Sequence, residues 1–98
     1  MGHQSVHIRV TFLGLVRDQV GTGALDFELP TGATYGDLLD SLAPHLDGRL
    51  GGWAWDSATR GFSGRVKVSR SSVLGSWGPD SPLADGEEII VFPPMAGG

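Results

Sequence analysis

Side chains that could carry out chemistry are few in this sequence. It contains no cysteine, which excludes a cysteine nucleophile, a disulfide framework and a thiolate metal site. We interpret the three histidines, His3, His7 and His45, as structural, since lone histidines lack the partners of a metal or base site. No Ser, His and acid motif and no phosphate-binding loop can be recognised. We therefore expect no metal, no bound cofactor and no catalytic machinery within the chain.

The clearest chemical signal comes from the last six residues, Pro93, Pro94, Met95, Ala96, Gly97 and Gly98. Two consecutive prolines donate no hydrogen bond to a sheet and favour an extended course, so we expect this tail to project from the last strand. The two glycines leave no Cβ beside the terminal carboxylate, which permits close approach from all sides. A tail of this shape can thread a narrow active-site tunnel in another protein.

The first thirty residues predict two strands separated by a short helix. Apolar and polar residues alternate from Val6 to Phe12, which indicates a strand with one buried face. Residues 13–20 lose this alternation and end at glycines, so we predict a short helical turn there. Alternation resumes at Leu25 and stops at Pro30, which predicts a second strand that pairs with the first.

Thr34 opens the main predicted helix. Asp37 stands three residues later, which is the spacing of a capping box. One apolar stripe at helical spacing is expected to face the sheet, and it contains Tyr35, Leu38, Leu39 and Leu42. Pro44 is expected to end or loosen the helix.

The second half of the chain is less regular. Residues 48–64 contain five glycines and are predicted to form a long loop or a hairpin. We expect Trp53 and Trp55 to pack over the edge of the core, with a partner-binding site as the alternative. Residues 65–69 alternate as a third strand, and residues 73–77 are predicted as its hairpin partner. The apolar run 89–92 is typical of a central strand covered on both faces.

These elements predict one α+β domain over residues 1–98, with a mixed sheet of four or five strands and one main helix packed across it. If the last strand lies beside the first, the arrangement is a β-grasp. We expect disorder over residues 1–5, an insertion loop over 48–64 and a flexible tail over 93–98.

Charge is sparse, with a net charge of -4. This sign disfavours nucleic-acid binding, which depends on neutralising phosphates. We interpret the local basic cluster as a solvated strand face; it contains Arg60, Arg65, Lys67 and Arg70. The acidic group of Asp85, Glu87 and Glu88 is interpreted as a solvated turn. No apolar run predicts a membrane span or a signal peptide, so we expect a soluble, cytoplasmic protein that binds neither membrane nor nucleic acid.

Three segments together resemble the ubiquitin-like sulfur carriers. The ending VFPPMAGG after LADGEEI resembles the C-terminus of the MoaD/ThiS family, specifically the MoaD-like small subunit of molybdopterin synthase. The start VHIRVTFLGLVRDQVG resembles that family's first strand and short helix, and PTGATYGDLLDSL stands where its main helix begins. The insertion 48–64 and the segment VSRSSV depart from the family pattern. This resemblance implies a β-grasp fold.

The resemblance also implies a function that requires no catalytic side chains. An E1-like adenylating enzyme would use ATP to activate the Gly98 carboxylate, and a persulfide sulfur donor would convert it to a thiocarboxylate. The large subunit of molybdopterin synthase would then receive the tail and its sulfur. Gly97 and Gly98 would carry the chemistry, and the residues from Pro93 to Ala96 would form the tether. Phe92 is expected to be either an apolar anchor for the partner or a core residue.

Other functions remain open at this stage. A ubiquitin-like modifier would use the same activated Gly98 to form an isopeptide bond with target lysines. A sulfur carrier for thiamine, cysteine or tRNA thiolation would share the thiocarboxylate, and the paired prolines favour molybdopterin over these pathways. A β-grasp binding module with an incidental Gly-Gly ending is the third alternative.

Overall fold

The computed structural model describes residues 4–71, 73 and 77–94 of the 98-residue chain. The elements in these ranges are, in chain order, β1 (Ser5–Phe12), α1 (Gly14–Val20), β2 (Ala24–Pro30), α2 (Tyr35–Leu46), β3 (Trp55–Asp56), β4 (Gly61–Phe62), β5 (Lys67–Arg70) and β6 (Glu87–Phe92). Met1, Gly2 and His3 lie outside the described residues, and Ser5, within the segment expected to be disordered, already belongs to β1.

One mixed sheet has the strand order β2-β1-β6-β5, with the first and last strands parallel at its centre. The outer strands β2 and β5 each run antiparallel to their neighbours. This order confirms the predicted β-grasp arrangement with a mixed sheet. Because β1 and β6 are parallel, the start of β1 and the end of β6 lie at opposite ends of the sheet.

The core lies between the sheet and α2. The predicted alternation in β1 is confirmed, since Val6, Ile8, Val10 and Phe12 are all buried. From α2, Leu38 and Leu42 join the same apolar cluster, which matches the predicted stripe. Burying an aliphatic side chain of this size contributes about 1.5–3 kcal/mol before conformational entropy is subtracted.

The start of α2 has the predicted capping box. The Thr34 hydroxyl accepts a hydrogen bond from the Asp37 N–H at 3.2 Å, and the Asp37 carboxylate accepts one from the Thr34 N–H at 2.9 Å. The expectation that Pro44 ends the helix is wrong. Pro44 lies within the last turn, where a proline removes one backbone hydrogen bond. The helix continues to Leu46, which is fully buried and compensates for that loss.

The segment 48–64 contains a short hairpin of β3 and β4, so the hairpin alternative holds. Trp55 is buried with its ring edge-on to Phe62, and the ring centroids are 5.1 Å apart. The Trp55 indole N–H donates to the Asp47 carboxylate at 2.7 Å. Trp53 packs against the core and donates to the side-chain oxygen of Gln19 at 3.1 Å. Both tryptophans therefore pack as predicted.

Strand β5 pairs antiparallel with β6. Residues 74–76 of its predicted hairpin partner lie outside the described residues, and Val73 and Trp77 belong to no strand. Strand β6 is central, as predicted, but only one of its faces is fully covered. Ile89 and Val91 are buried, whereas Ile90 and Phe92 are half-buried on the opposite face.

Two charged residues predicted to be solvated are in fact buried together. Arg70 and Glu87 are 3% and 2% exposed and form an ion pair through the Arg70 Nε. A second hydrogen bond joins Arg70 Nη2 to Glu87 Oε1 at 2.9 Å. In each strand the alternation places the charged residue on the inward face, and a buried charge is tolerated because its partner satisfies it.

The same ion pair holds the connection before β6 against α2. Arg70 also donates to the Ser81 hydroxyl and to the Pro82 carbonyl, each at 2.9 Å. The connection also accepts two backbone hydrogen bonds from the first turn of α2. The Tyr35 N–H donates to the Ser81 carbonyl at 2.9 Å, and the Gly36 N–H donates to the Pro79 carbonyl at 2.8 Å. The buried charge therefore orders a surface connection and the start of the main helix.

Candidate functional site

The tail leaves the sheet at the end of β6. Phe92 is the last residue in the ladder, where it pairs with Lys67 of β5. Pro93 and Pro94 follow outside any regular element, because proline offers no N–H for further pairing. Pro93 is half-buried and Pro94 is exposed. The predicted site residues Met95, Ala96, Gly97 and Gly98 lie outside the described residues.

An apolar groove of about 500 Å³ surrounds the root of this tail. We call it the tail-root groove, and its lining is Leu13, Gly14, Lys67, Val68, Ser69, Phe92, Pro93 and Pro94. Three separate segments meet here: the junction of β1 and α1, strand β5, and the end of β6. Lys67 is the one ionisable side chain in this lining, and it is exposed. The predicted partner-binding residues Phe92, Pro93 and Pro94 therefore share one surface.

Exposed leucines extend the apolar character of this end of the molecule. Among the described residues, Leu13 is 39% exposed and Leu15 is 51% exposed. Leu13 is held beside β6 because its N–H donates to the Val91 carbonyl at 3.1 Å. Sequence reasoning identified Phe92 and the prolines but missed the contribution of the β1–α1 junction. The available signal was the run FLGL, in which two leucines flank a glycine directly after a strand.

Polar side chains of β1 and β2 form a second, different surface. Arg9 Nε donates to Asp26 Oδ1 at 3.0 Å, and His7 Nε2 lies 3.1 Å from the same oxygen. The hydrogen bond from Arg9 holds the pKa of the Asp26 carboxyl below its usual range. The same hydrogen bond raises the pKa of the Arg9 guanidinium. Thr11 donates to Glu88 at 2.9 Å. These polar groups therefore pair with one another across the surface of β1.

Neither a metal cluster nor a membrane helix occurs in the described ranges. Within residues 4–71, 73 and 77–94, no group of three His, Asp or Glu side chains could hold a metal ion. Neither described helix is long and apolar enough to cross a bilayer. What the described residues offer is a diproline segment that leaves β6 beside an apolar groove, and apolar surface of this kind is typical of protein interaction sites.

Comparison with solved structures identifies the fold of this chain. The crystal structure of the Haloferax volcanii small archaeal modifier protein 1 superposes with a TM-score of 0.70, covering 94% of this chain and 99% of that one at 22% identity. At this identity the likeness establishes the fold, which is the ubiquitin-like β-grasp.

Sequence comparisons identify the family. The model of the ThiS family matches residues 10–98. The small archaeal modifier protein 3 of Haloferax volcanii is 31% identical over 93 residues, covering 95% of this chain and all of that protein. The molybdopterin synthase sulfur carrier subunit of Escherichia coli is also 31% identical over 93 residues, covering 93% of this chain and 99% of that protein. The chain therefore belongs to the ThiS family.

Proposed function

We propose that this protein is a sulfur carrier whose Gly98 is activated by an E1-like adenylating enzyme and converted to a thiocarboxylate. The observation that carries the proposal is the tail-root groove in a chain of the ThiS family: a diproline segment leaves the central strand beside an apolar surface. A partner can bind the groove while it receives the chain end. The catalytic groups then belong to the partners, and this protein serves as a co-substrate.

The proposed chemistry has three steps. A Gly98 carboxylate oxygen attacks the α-phosphorus of ATP, which forms an acyl adenylate and releases pyrophosphate. The terminal sulfur of a persulfide donor then attacks the acyl carbon, and AMP leaves. A second thiol of the donor attacks the resulting acyl disulfide, which releases the thiocarboxylate and leaves a donor disulfide. Adenylation is required because a free carboxylate is a poor electrophile.

Each tail residue has a proposed role. Phe92, Pro93 and Pro94 contact the partner at the groove, while Met95 and Ala96 extend the tether. The final residues Gly97 and Gly98 have no side chains, so they fit a narrow active site. The last strand is held between β1 and β5, which gives the partner a rigid surface from which the tail projects. A cytoplasmic location, where ATP and persulfide donors occur, is part of the proposal.

Molybdopterin synthesis is the pathway that we propose. The Escherichia coli relative, a molybdopterin synthase sulfur carrier subunit, supports it through 31% identity over 99% of its length. In this pathway the large synthase subunit receives the thiocarboxylate and transfers its sulfur to a pterin precursor, which builds the dithiolene that holds molybdenum or tungsten. Each transfer leaves a Gly98 carboxylate, and a new round of adenylation and sulfur donation regenerates the thiocarboxylate.

Protein modification is the second candidate, and a specific observation favours it. The Haloferax volcanii small archaeal modifier protein 3 matches equally well, at 31% identity over its whole length. In this function a target lysine would attack the activated Gly98 and form an isopeptide bond. Lys67 is the single lysine of the sequence, so chains of linked copies would have one attachment site, at the edge of the groove.

Intact mass spectrometry tests the proposal. The protein is incubated with an E1-like enzyme, ATP and a persulfide donor, and a mass gain equal to the replacement of one oxygen by sulfur is expected. The variant that lacks Gly98 should fold normally but show no gain, because residues beyond the last strand contribute little to stability. A wild-type protein that gains no mass beside an authentic carrier that does would contradict the proposal. Mass adducts on lysines of other proteins would favour the modifier.

A further inference from the structure

Gly14 lies where β1 gives way to α1 and contacts the root of the tail. Its φ of +55° lies in the left-handed region, which glycine adopts without steric cost. Its preceding residue, Leu13, is hydrogen-bonded to the Val91 carbonyl of β6. The glycine is therefore fixed next to the strand from which the tail emerges.

The contact with Pro93 leaves no room for a side chain. A Cβ added to Gly14 would lie 2.9 Å from Pro93 Cγ and 3.6 Å from Pro93 Cδ. The first distance is about half an ångström shorter than carbon–carbon van der Waals contact. A proline ring cannot rotate away as the end of a flexible side chain can, because it is bonded to its own backbone nitrogen. Because the Leu13 N–H holds the β1–α1 junction on β6, we expect a shift of Pro93 to relieve the clash.

A displacement at Pro93 is transmitted along the tail. Its ring fixes φ, and Pro94 continues a stiff, extended course of about 3.1 Å per residue. The seat of Pro93 thus sets the direction in which Pro93 and Pro94 leave β6. A tail that points in another direction must reorient before a partner bound at the groove can receive it.

We propose that Gly14 is a positioning residue for the tail: its missing side chain seats Pro93 against the β1–α1 junction and sets the direction in which Pro93 and Pro94 leave β6. This inference rests on the proposed function, because the tail is taken as the segment that a partner receives. The expected consequence of losing this position is a higher KM of the partner enzyme for the protein. When fewer molecules hold the tail correctly, the apparent affinity for the partner falls by that fraction. The chemistry at Gly98 is unchanged once the tail is inserted.

The test is a double-mutant cycle with the variants Gly14→Ala, Pro93→Ala and the combination of both. Gly48→Ala is the matched control, since Gly48 also has a positive φ, +79°, but a Cβ there would meet no atom within 4 Å. The measured quantities are KM and kcat of the E1-like enzyme for each variant. Gly14→Ala should raise KM about fivefold or more with little change in kcat, and Gly48→Ala should leave both unchanged.

The cycle separates contact from backbone strain. Strain at a positive φ persists whatever residue stands at position 93, whereas the clash needs the proline ring. Gly14→Ala should therefore have little further effect on KM in the Pro93→Ala background. An equal effect in both backgrounds, or an equal effect of Gly48→Ala, would overturn the inference.

A nuclear magnetic resonance measurement tests the positioning without any partner. A nuclear Overhauser effect between the Gly14 Hα and Pro93 Hγ protons is expected in the wild-type protein, and Gly14→Ala should shift the Pro93 and Pro94 signals while Gly48→Ala does not. Absence of that effect, or unchanged proline signals, would contradict the inference even if Gly14→Ala were too unstable for kinetics. Failure of the wild-type protein to load sulfur would instead contradict the proposed function.

Discussion

Strand β6 has a charged, buried beginning and an apolar, half-exposed end. At its start, Glu87 is 2% exposed and satisfied by Arg70 and by the Ala84 N–H, which donates at 3.1 Å. At its end, Phe92 is half-buried and lies in the tail-root groove. This is the reverse of the usual distribution, in which charges face solvent and aromatic rings fill the core.

The beginning of β6 is held by contacts within the protein, whereas its end lies partly at the surface. Arg70 connects β5, β6 and the segment before β6, and it lies 5.5 Å from the ring centroid of Trp77 and 5.9 Å from that of Tyr35. These contacts hold the strand at its beginning. The apolar residues at its end are left partly exposed, next to the exposed Leu13.

The largest effect is expected from Glu87→Leu, which leaves Arg70 buried without its carboxylate. Removing one partner of a buried ion pair costs about 3–5 kcal/mol. Chemical denaturation should therefore show a lower free energy of unfolding by this amount. The double variant Glu87→Leu with Arg70→Met should recover most of the loss, since no unpaired charge remains. Equal stability of the single and double variants would contradict a buried pair.

The next largest effect on stability is expected from Tyr35, whose ring lies next to the Arg70 guanidinium at the beginning of β6. Burial raises the pKa of its hydroxyl to about 12, from 10.0 in a free side chain. The neutral phenol is therefore favoured in the folded state. Its contribution to the free energy of unfolding is complete below pH 10 and decreases between pH 10 and 12. The loss should reach about 2–3 kcal/mol.

Tyr35 is the only tyrosine of the sequence, so ultraviolet absorbance of the phenolate follows it directly. A midpoint near pH 12 is expected, and a midpoint near pH 10 would show that the ring is exposed. Tyr35→Phe removes this contribution to the pH dependence of unfolding and serves as the control.

Phe92→Ala tests the apolar end of β6. Its half-buried ring should contribute only about 1–2 kcal/mol to stability, while sulfur loading by the E1-like enzyme should fall clearly. Ile90→Ala is the matched control, because Ile90 is also half-buried on β6 but does not line the groove. Similar losses of loading in both variants would argue against a specific role for Phe92 in recognition.

The smallest effect is expected at the exposed ion pair of Arg9 with Asp26. The pKa of Asp26 is lowered by its hydrogen bond from Arg9, so this pair stabilises the fold above the ordinary carboxyl pKa and loses its effect as pH falls through the lowered value. Arg9→Gln should move the Asp26 midpoint back toward 3.8. Carboxyl carbon shifts in a pH titration measure this, and an unchanged midpoint would contradict the assigned cause.

Much of the fold could be predicted because local rules and tertiary packing agree. The alternation before Phe12, the capping box at Thr34 and the apolar run of β6 each follow from sequence spacing. Helix α2 continues past Pro44 because burial of Leu46 outweighs one lost hydrogen bond. Charge alone does not predict the burial of Arg70 and Glu87, although their positions in the alternation place both on the inward face.

The candidate site could be predicted only in part. The tail is contiguous in sequence, so its prolines and glycines were recognisable. The groove was not, because its lining comes from segments around residues 13, 68 and 93 that only the fold brings together. The contact between Gly14 and Pro93 likewise depends on the parallel pairing of β1 and β6, which no local pattern encodes.

The central claim is that the chain end carries sulfur, and tandem mass spectrometry of the loaded protein tests it most directly. After incubation with an E1-like enzyme, ATP and a persulfide donor, fragmentation should place one sulfur-for-oxygen replacement on Gly98. The unloaded sample should lack it. An unmodified Gly98, or sulfur found on any other residue, would contradict the account.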